Sequence, residues 1–499
     1  MLFDELFLKE NEKRRVELLK EINFLGEGIH SLNTIQETMN LTYHQIIRIL
    51  NEIKDDFDRF GFDEDSFIYK TGDIQTTKFL PQVDKYRAYL LQDSPPFNFL
   101  LSVLNMEEMS IDEFCKKYDY AQSTVTRRMS KLVGFVRKFG LRFTHNPINI
   151  VGDEGKVRMF LYRAIWIGIR GNYWPFQMEI HSQDQYLEEY LIQNGQELIT
   201  REEVRFGLII SAIRYQQGHV FDVPLRLAEF KEKIPAFKRI ENFDCLPFRT
   251  EEDRKKEFHQ MVLTSTFRKY TIHEKFQFSN TIGIENFYES NDFLARFTRE
   301  MCEELIEKHK LPVVEEHLED FMEELLYENY FFYVVPNPYP TTEYFTGIAM
   351  ENNRNYIYTK EMVRKYYNNN SMKFQRAFKH LDVEFYIDRV GRVLFYYMKK
   401  VRQNTQKVHV ALFMENDVAF RPRIIAGLQN FRNVELYEYC EENSDQYDLI
   451  IYTCSLLKTK KHLTELFHWE YDFNEQHMIS IFNKVHQLTI EKQKLEFYV

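Results

Sequence analysis

Residues 110–152 read SIDEFCKKYDYAQSTVTRRMSKLVGFVRKFGLRFTHNPINIVG, and the order of polar and apolar side chains within them decides the fold. Ser110 and Glu113 form the pattern in which a hydroxyl and a carboxylate each satisfy a free backbone amide, so a short helix is expected from Ile111. Ile111, Phe114, Cys115 and Tyr118 would be its buried face. After a turn of about four residues, Ser123 is placed to cap a second helix, in which Val125, Met129, Leu132, Val133 and Val136 recur at helical spacing. Thr124, Arg127, Arg128 and Lys131 are assigned to its other face. Two short helices joined by a tight turn, the second opening on polar and basic side chains, present a recognition helix to a DNA major groove.

Charge points the same way. Lys116, Lys117, Arg127, Arg128, Lys131, Arg137, Lys138 and Arg142 stand between positions 116 and 142 against the single acid Asp119, a local cluster that attracts phosphate whatever the net charge of the chain. On either side of Asn146-Pro147, Leu141-Arg-Phe-Thr-His and Ile148-Asn-Ile-Val alternate as two strands of a wing would. A helical hairpin with a solvated basic face would share the periodicity but would need neither the caps nor the wing. In the DNA reading Arg127, Arg128 and Lys131 contact bases or phosphates, Gln122 and Thr124 the backbone near the helix start, and His145 or Asn146 the minor groove or phosphates.

The 499 residues suggest roughly three to five domains. Hydrophobic content of 44% with 28% charged residues is that of a globular protein, and no apolar run approaches the roughly 18 residues of a membrane span. The N-terminus lacks the basic region and apolar core of a signal peptide, so cytoplasmic residence is expected. The five cysteines are scattered and never spaced C-x-x-C, which excludes a disulfide framework and a zinc site of that pattern. A net charge of −11 confines any nucleic-acid surface to a local patch. No glycine-rich phosphate loop, H-E-x-x-H, nucleophile elbow or Rossmann fingerprint occurs, so neither catalysis nor a cofactor or metal is expected.

Taken in order, residues 12–25 carry a helical stripe of Val16, Leu19, Ile22 and Phe24 or Leu25. A second helix is expected after Asn33, with Gln36 completing a weaker box and Ile35 and Met39 buried. Asn40 and Leu41 make a turn, Thr42 caps a third helix with Ile46, Leu50, Ile53 and Phe57 on one face, and residues 66–74 supply a strand pair around Thr71-Gly72. This second helix-turn-helix candidate sets Arg48, Lys54 and Arg59 against Glu52, Asp55, Asp56 and Asp58, so its charge favours packing as much as DNA contact. Asp93-Ser-Pro-Pro breaks the chain before a helix at 97–106. Beyond Gly152, helical patterns at 153–169, 184–194, 201–216 and 251–269, and again at 291–310, 314–326, 359–367 and 371–381, suggest two tandem helical domains. The aromatic run Tyr330-Phe-Phe-Tyr reads as core. The last hundred residues alternate strands at 408–413, 434–439 and 448–453 with helices at 417–431 and 474–494, a small α/β unit with a parallel sheet.

The order of parts resembles the Mga and AtxA family of Gram-positive virulence regulators. The resemblance is carried most specifically by STVTRRMSKLVGFVRKFGLRF with INIVGDEGKVRMFLYRAIW, which is similar to the second helix-turn-helix of regulators bearing phosphotransferase-system regulation domains. It implies a mainly α, multidomain chain: winged helix-turn-helix units at 1–92 and 93–153, regulation-like helical domains at 154–283 and 284–402, and an enzyme IIB-like α/β domain at 403–499. It further implies histidine phosphorylation by a phosphotransferase-system phosphocarrier and homodimerisation through the C-terminal domain. His219 and His317 are the first candidate phosphoacceptors, followed by His273 and His380; Glu315, Glu316 and Glu319 around His317 would repel a phosphate donor. An active enzyme IIB needs a cysteine after its first strand, where this chain reads Phe413-Met-Glu-Asn-Asp, so a scaffold or dimerisation role is expected there and Cys454 is assigned to packing.

The function expected is that of a DNA-binding transcriptional regulator, with Gln122, Thr124, Arg127, Arg128, Lys131 and, from the first unit, Arg48 as DNA-contacting residues. Two alternatives remain open from sequence: an RNA-binding antiterminator with regulation domains, whose N-terminal domain would be β-rich, and a phosphotransfer carrier working through Cys454 or a histidine.

Overall fold

Caps and left-handed residues punctuate the first third of the chain and set its elements. The computed structural model describes residues 2–62, 66–70, 72–105, 108–178, 198–223, 226, 249–266, 292–307, 318–335, 338–346, 354–378, 380–397, 407–416, 420–431, 434–457, 464–470 and 475–496. The helix expected at 184–194, the candidates His273 and His317, and the domain boundaries expected near 283 and 402 lie outside the described residues.

Helices α1 (Leu2–Phe7) and α2 (Glu10–Leu25) open the chain, and α2 buries Val16, Leu18, Leu19 and Ile22. The first winged unit follows as β1 (Gly28–Ser31), α3 (Leu32–Met39), α4 (Tyr43–Phe60), β2 (Phe67–Lys70) and β3 (Asp73–Thr76), its antiparallel sheet ordered β1-β3-β2. Strand β1 was not read from the sequence, since four residues carry too little alternation to register. Ser31, not Asn33, caps α3: the Ser31 hydroxyl accepts from the Asn33 amide at 3.3 Å. The chain reverses at Asn40, with φ +51°, and the Leu41 amide returns to the Gln36 carbonyl, which closes the helix end in the manner open to Asn without large strain. Thr42 and Gln45 form a complete capping box on α4.

The second unit comprises α5 (Val83–Leu91), α6 (Pro95–Val103), α7 (Ile111–Lys117), α8 (Gln122–Arg137), β4 (Arg142–His145) and β5 (Ile148–Val151), and leads into α9 (Glu154–Ile169). Ser94 caps α6, so this helix starts and ends a few residues earlier than expected. Ser110 and Glu113 make the capping box on α7. For α8 the expectation fails: its N-cap is Ala121, which has no side-chain bond, and Ser123 lies inside the helix. The turn decides this. Asp119 takes φ +54° and the Tyr120 amide returns to Cys115, the geometry seen at Asn40 and Leu41, and in both units the cap falls two residues after the left-handed residue. Helix α9 lies close against the N-terminal helices at Gly168, where a Cβ would come 2.7 Å from Phe97 and 2.9 Å from Leu91.

Helices α10 (Leu198–Gln216), α11 (Glu251–Thr266), α12 (Phe293–Glu307), α13 (Leu318–Val334), α14 (Thr342–Thr346), α15 (Arg354–Asn369), α16 (Ser371–Ala377) and α17 (Val383–Tyr397) form the helical part. The helix expected to stop at 326 continues as α13 through Tyr330, Phe331 and Phe332, all buried. Helices α14 and α17 were not anticipated: α14 is too short to show a period, and α17 follows a turn with no proline or glycine to announce it. At the C-terminal end, β6 (Val408–Phe413), α18 (Phe420–Gln429), β7 (Val434–Glu438), β8 (Leu449–Tyr452), β9 (Glu465–His468) and α19 (Glu475–Glu496) build a parallel sheet ordered β7-β6-β8-β9. Strand β9 adds a fourth strand to the three expected. The chain is thus a mainly helical, multidomain protein with several small sheets.

Candidate nucleic-acid interface

Helix α8 buries Val125, Met129, Leu132, Phe135 and Val136, and the positions opposite this stripe face outward. Gln122, Ser123, Thr126, Arg127, Ser130 and Lys131 are exposed. The Thr126 hydroxyl donates to the Gln122 carbonyl at 3.0 Å and the Ser130 hydroxyl to the Arg127 carbonyl at 2.8 Å. Arg127 and Lys131 have no acidic partner within ion-pair distance among the described residues. The sequence reading missed Ser123, Thr126 and Ser130 as members of this face, although a helical wheel drawn from Val125, Met129, Leu132 and Val136 places them there. Thr124 is half-buried.

Arg128 does something else. Its guanidinium turns inward and donates to the carbonyls of Leu8 at 3.0 Å and Phe7 at 2.8 Å, so it satisfies the open end of α1. Position 128, three after Val125 and four before Leu132, lies at the edge of the buried stripe. The sequence placed Arg128 on the DNA face because α1 was not visible as a neighbour.

The wing strands β4 and β5 pair antiparallel with Arg142 opposite Val151 and His145 opposite Ile148. Arg142, His145, Asn146 and Pro147 are exposed, while beside the tip the Ile148 amide bonds the Met109 carbonyl at 2.7 Å. The wing is also anchored one step from its tip, at Asn149 opposite Thr144. The Asn149 amide nitrogen lies 3.1 Å from His219 Nε2, and its oxygen accepts from Arg214 at 2.7 Å. Arg214 also binds Glu154 at 2.8 and 3.0 Å, and Arg158 joins Glu154 at 2.9 Å to Glu257 and to the His219 carbonyl at 2.6 Å. Two guanidinium groups and two carboxylates thus face one another in the seam between β5, α9 and the helical part, a burial tolerable only because each charge is paired. Burial, reinforced by the charge of Arg214, holds the His219 ring below the ordinary histidine pKa.

The far end of α8 meets the later helices. Phe135 packs against Phe345 of α14 at 5.0 Å between ring centres, Phe139 against Tyr344 at 4.9 Å, and Phe345 also stacks on Phe160 of α9 at 5.9 Å. The recognition helix is therefore held from beneath by both stretches of helical structure.

Arg48 of the first unit is exposed on α4 beside Glu52 at 3.7 Å. Near it, Lys54 lies over Tyr69 and Arg59 pairs with Asp93. Of the remaining candidates, His380 is exposed in the turn after α16.

The α/β unit docks by the carboxyl end of its sheet. Arg170, at the end of α9, reaches the Thr453 carbonyl and lies 3.6 Å from Glu415, Arg87 joins Asp4 at 2.8 Å to Glu470 at 2.7 Å, and Asp84 accepts from the Ser455 amide at 3.0 Å. Glu415, in the loop after β6, also accepts from the Thr453 hydroxyl at 2.5 Å. Cys454 is fully buried in this contact, and burial, with Glu415 and Asp84 nearby, pushes its thiol well above the usual range. Cys115, Cys302 and Cys440 are free thiols. No described residues gather into a group of His, Cys, Asp and Glu suited to a metal ion, and no described helix is long and apolar enough to cross a membrane.

No curated protein matches the chain. Residues 81–164, which run from the residues before α5 through the helix pair, the wing and most of α9, match the Mga helix-turn-helix domain.

Proposed function

We infer that this protein is a transcriptional regulator that binds duplex DNA through α8 and the wing, and that the helical part reports phosphotransferase status to that surface. The observation that carries the DNA reading is the exposed row of Ser123, Thr126, Arg127, Ser130 and Lys131, whose two cations have no acid within ion-pair distance among the described residues, inside the segment that matches the Mga helix-turn-helix domain. Arg127 and Lys131 supply phosphate or base contacts and the small hydroxyl residues let the helix enter the groove. Arg128 is left out of the contact set because it serves α1.

Of the histidines, His219 fits a phosphoacceptor best. Its ring is held neutral by burial and by Arg214, so Nε2 keeps the lone pair that attacks a phosphoryl donor. A phosphoryl group there would displace the Asn149 amide and add nearly two negative charges beside the wing. The remaining parts of the reading are a cytoplasmic homodimer, associated through the α/β unit, that acts by binding rather than catalysis.

The decisive experiment is a gel shift with a duplex selected from a random pool by the unchanged protein, with hairpin RNA as competitor. Arg127→Ala with Lys131→Ala should weaken duplex binding by about 10- to 100-fold and lower the salt slope by about two, one phosphate contact for each lost cation. Unchanged affinity and slope would remove the assignment, and preference for the RNA would favour an antiterminator. Incubation with a phosphorylated phosphocarrier followed by phosphopeptide mapping tests His219, and light scattering with and without the residues after 406 tests dimerisation.

A further inference from the structure

Three side chains in the short segment 214–219 of the helical part reach into the DNA-binding unit. Arg214, almost fully buried, holds Asn149 of β5 and approaches the Ile150 carbonyl at 3.5 Å. Gln217 donates to the carbonyls of Val103 and Asn105 at 2.9 and 2.7 Å, at the end of α6. His219 meets the Asn149 amide, and it can do so because Gly218, at φ +90°, turns the chain back while the His219 amide bonds the Arg214 carbonyl at 3.0 Å. The matched domain ends at 164; within it the Ile148 amide bonds the Met109 carbonyl at 2.7 Å and Phe99 packs on Phe143 at 5.3 Å, and Arg214 and His219 add a grip on the wing from outside that domain.

We propose that Arg214, acting through Asn149, is a positioning residue for the wing: it fixes where the tip residues Arg142, His145 and Asn146 lie relative to α8, and so contributes to DNA binding without touching DNA. The proposal rests on the DNA-binding reading above. Its physical basis is that Arg214 is itself fixed. A guanidinium forked between Glu154 and Asn149 has its donors committed in one plane, so the strand it grips inherits the orientation of α9 and α10. Gln217 fixes the same segment to the end of α6, which makes the clamp two-point. With the wing set in this way, its phosphate contacts add to those of α8; with the clamp opened, the wing is held from the Met109 and Phe99 side alone, and part of its positioning must be supplied on binding.

The test uses the full chain, the duplex selected by the unchanged protein, and hydroxyl-radical footprinting alongside affinity and salt slope. Asn149→Ala removes the gripped side chain and leaves Arg214 paired with Glu154, so the fold is retained. It should weaken binding about tenfold, lower the salt slope by about one, and abolish protection on one flank while the protection made by α8 persists. Arg214→Met should give the same footprint, and the two substitutions together should be no worse than the more severe alone, as residues acting through one contact behave. If Arg214→Met fails to fold, Asn149→Ala decides alone. Binding within twofold of the unchanged protein with both flanks protected for Asn149→Ala overturns the proposal. Arg127→Ala on the same duplex separates the two readings: if it abolishes central protection while Asn149→Ala changes nothing, only the clamp falls, and if the unchanged protein selects no duplex, the DNA-binding reading falls with it.

Discussion

The two winged units share a turn and differ in everything the turn carries. In both, a non-glycine residue in the left-handed region, Asn40 in one and Asp119 in the other, ends the first helix, and the next amide returns five residues back. The second helix then begins at the same spacing, capped by Thr42 in the first unit and by an unassisted Ala121 in the second. Outward, however, α4 sets Arg48 beside Glu52, whereas α8 shows Arg127 and Lys131 with no such partner among the described residues. The first wing leaves Ile29 and Ile68 exposed on one sheet face, where both lie opposite Gln75; the second is tied by Asn149 to the helical part. Backbone geometry makes the module, and the charge and anchoring of its surface decide its use.

The strongest way to break this comparison is at the anchor. Arg158→Met should leave Glu257, almost fully buried, with an uncompensated charge and cost about 3–5 kcal/mol in chemical denaturation. A loss below about 1 kcal/mol would mean that the seam is not what holds the second unit. Next comes function. Arg48→Ala should change affinity for the selected duplex by less than about threefold, against the 10- to 100-fold loss given above for Arg127→Ala with Lys131→Ala; equal losses would make the two units equal partners on DNA.

The caps offer a smaller and symmetrical test. Thr42→Ala should cost about 1 kcal/mol, and Ala121→Ser should return some of that amount to the second unit by giving α8 the cap it lacks. If Ala121→Ser destabilises, the turn leaves no room for a side-chain bond. The smallest effect is that of pH. Burial and the charge of Arg214 hold the folded-state pKa of His219 below the ordinary histidine value of 6.5, so the unfolded chain binds the proton first as pH falls, and the stability contributed by a neutral ring is present above about pH 6.5 and lost progressively below it. Denaturation midpoints at pH 7.5 and 5.5 should differ less for His219→Gln than for the unchanged protein, and an identical difference would count against the histidine.

Much of this was legible one residue at a time. The Ser110–Glu113 and Thr42 capping boxes, the turn at Asn40 and the wing around Asn146-Pro147 are local: each depends on bonds between residues a few positions apart, so sequence spacing is enough to specify it. Arg127 and Lys131 also fall where their period puts them. Arg128 did not, and neither did the roles of Asn149 and Arg214. Their partners stand 120 and 65 positions away in the chain, and no pattern of periodicity records which buried donor will meet which distant acceptor.

By itself, then, the sequence determined a pair of basic and mixed helix-turn-helix units, a helical middle and a parallel α/β end, because helix caps, turn residues and apolar period act over short range. Only the tertiary structure decided which cations remain available. It took Arg128 to close α1, placed Arg214 and His219 against the wing, and set Glu415 and Cys454 into a seam with Arg170. Desolvation is the reason: a charge removed from water must find its partner in three dimensions, and that partner is chosen by packing.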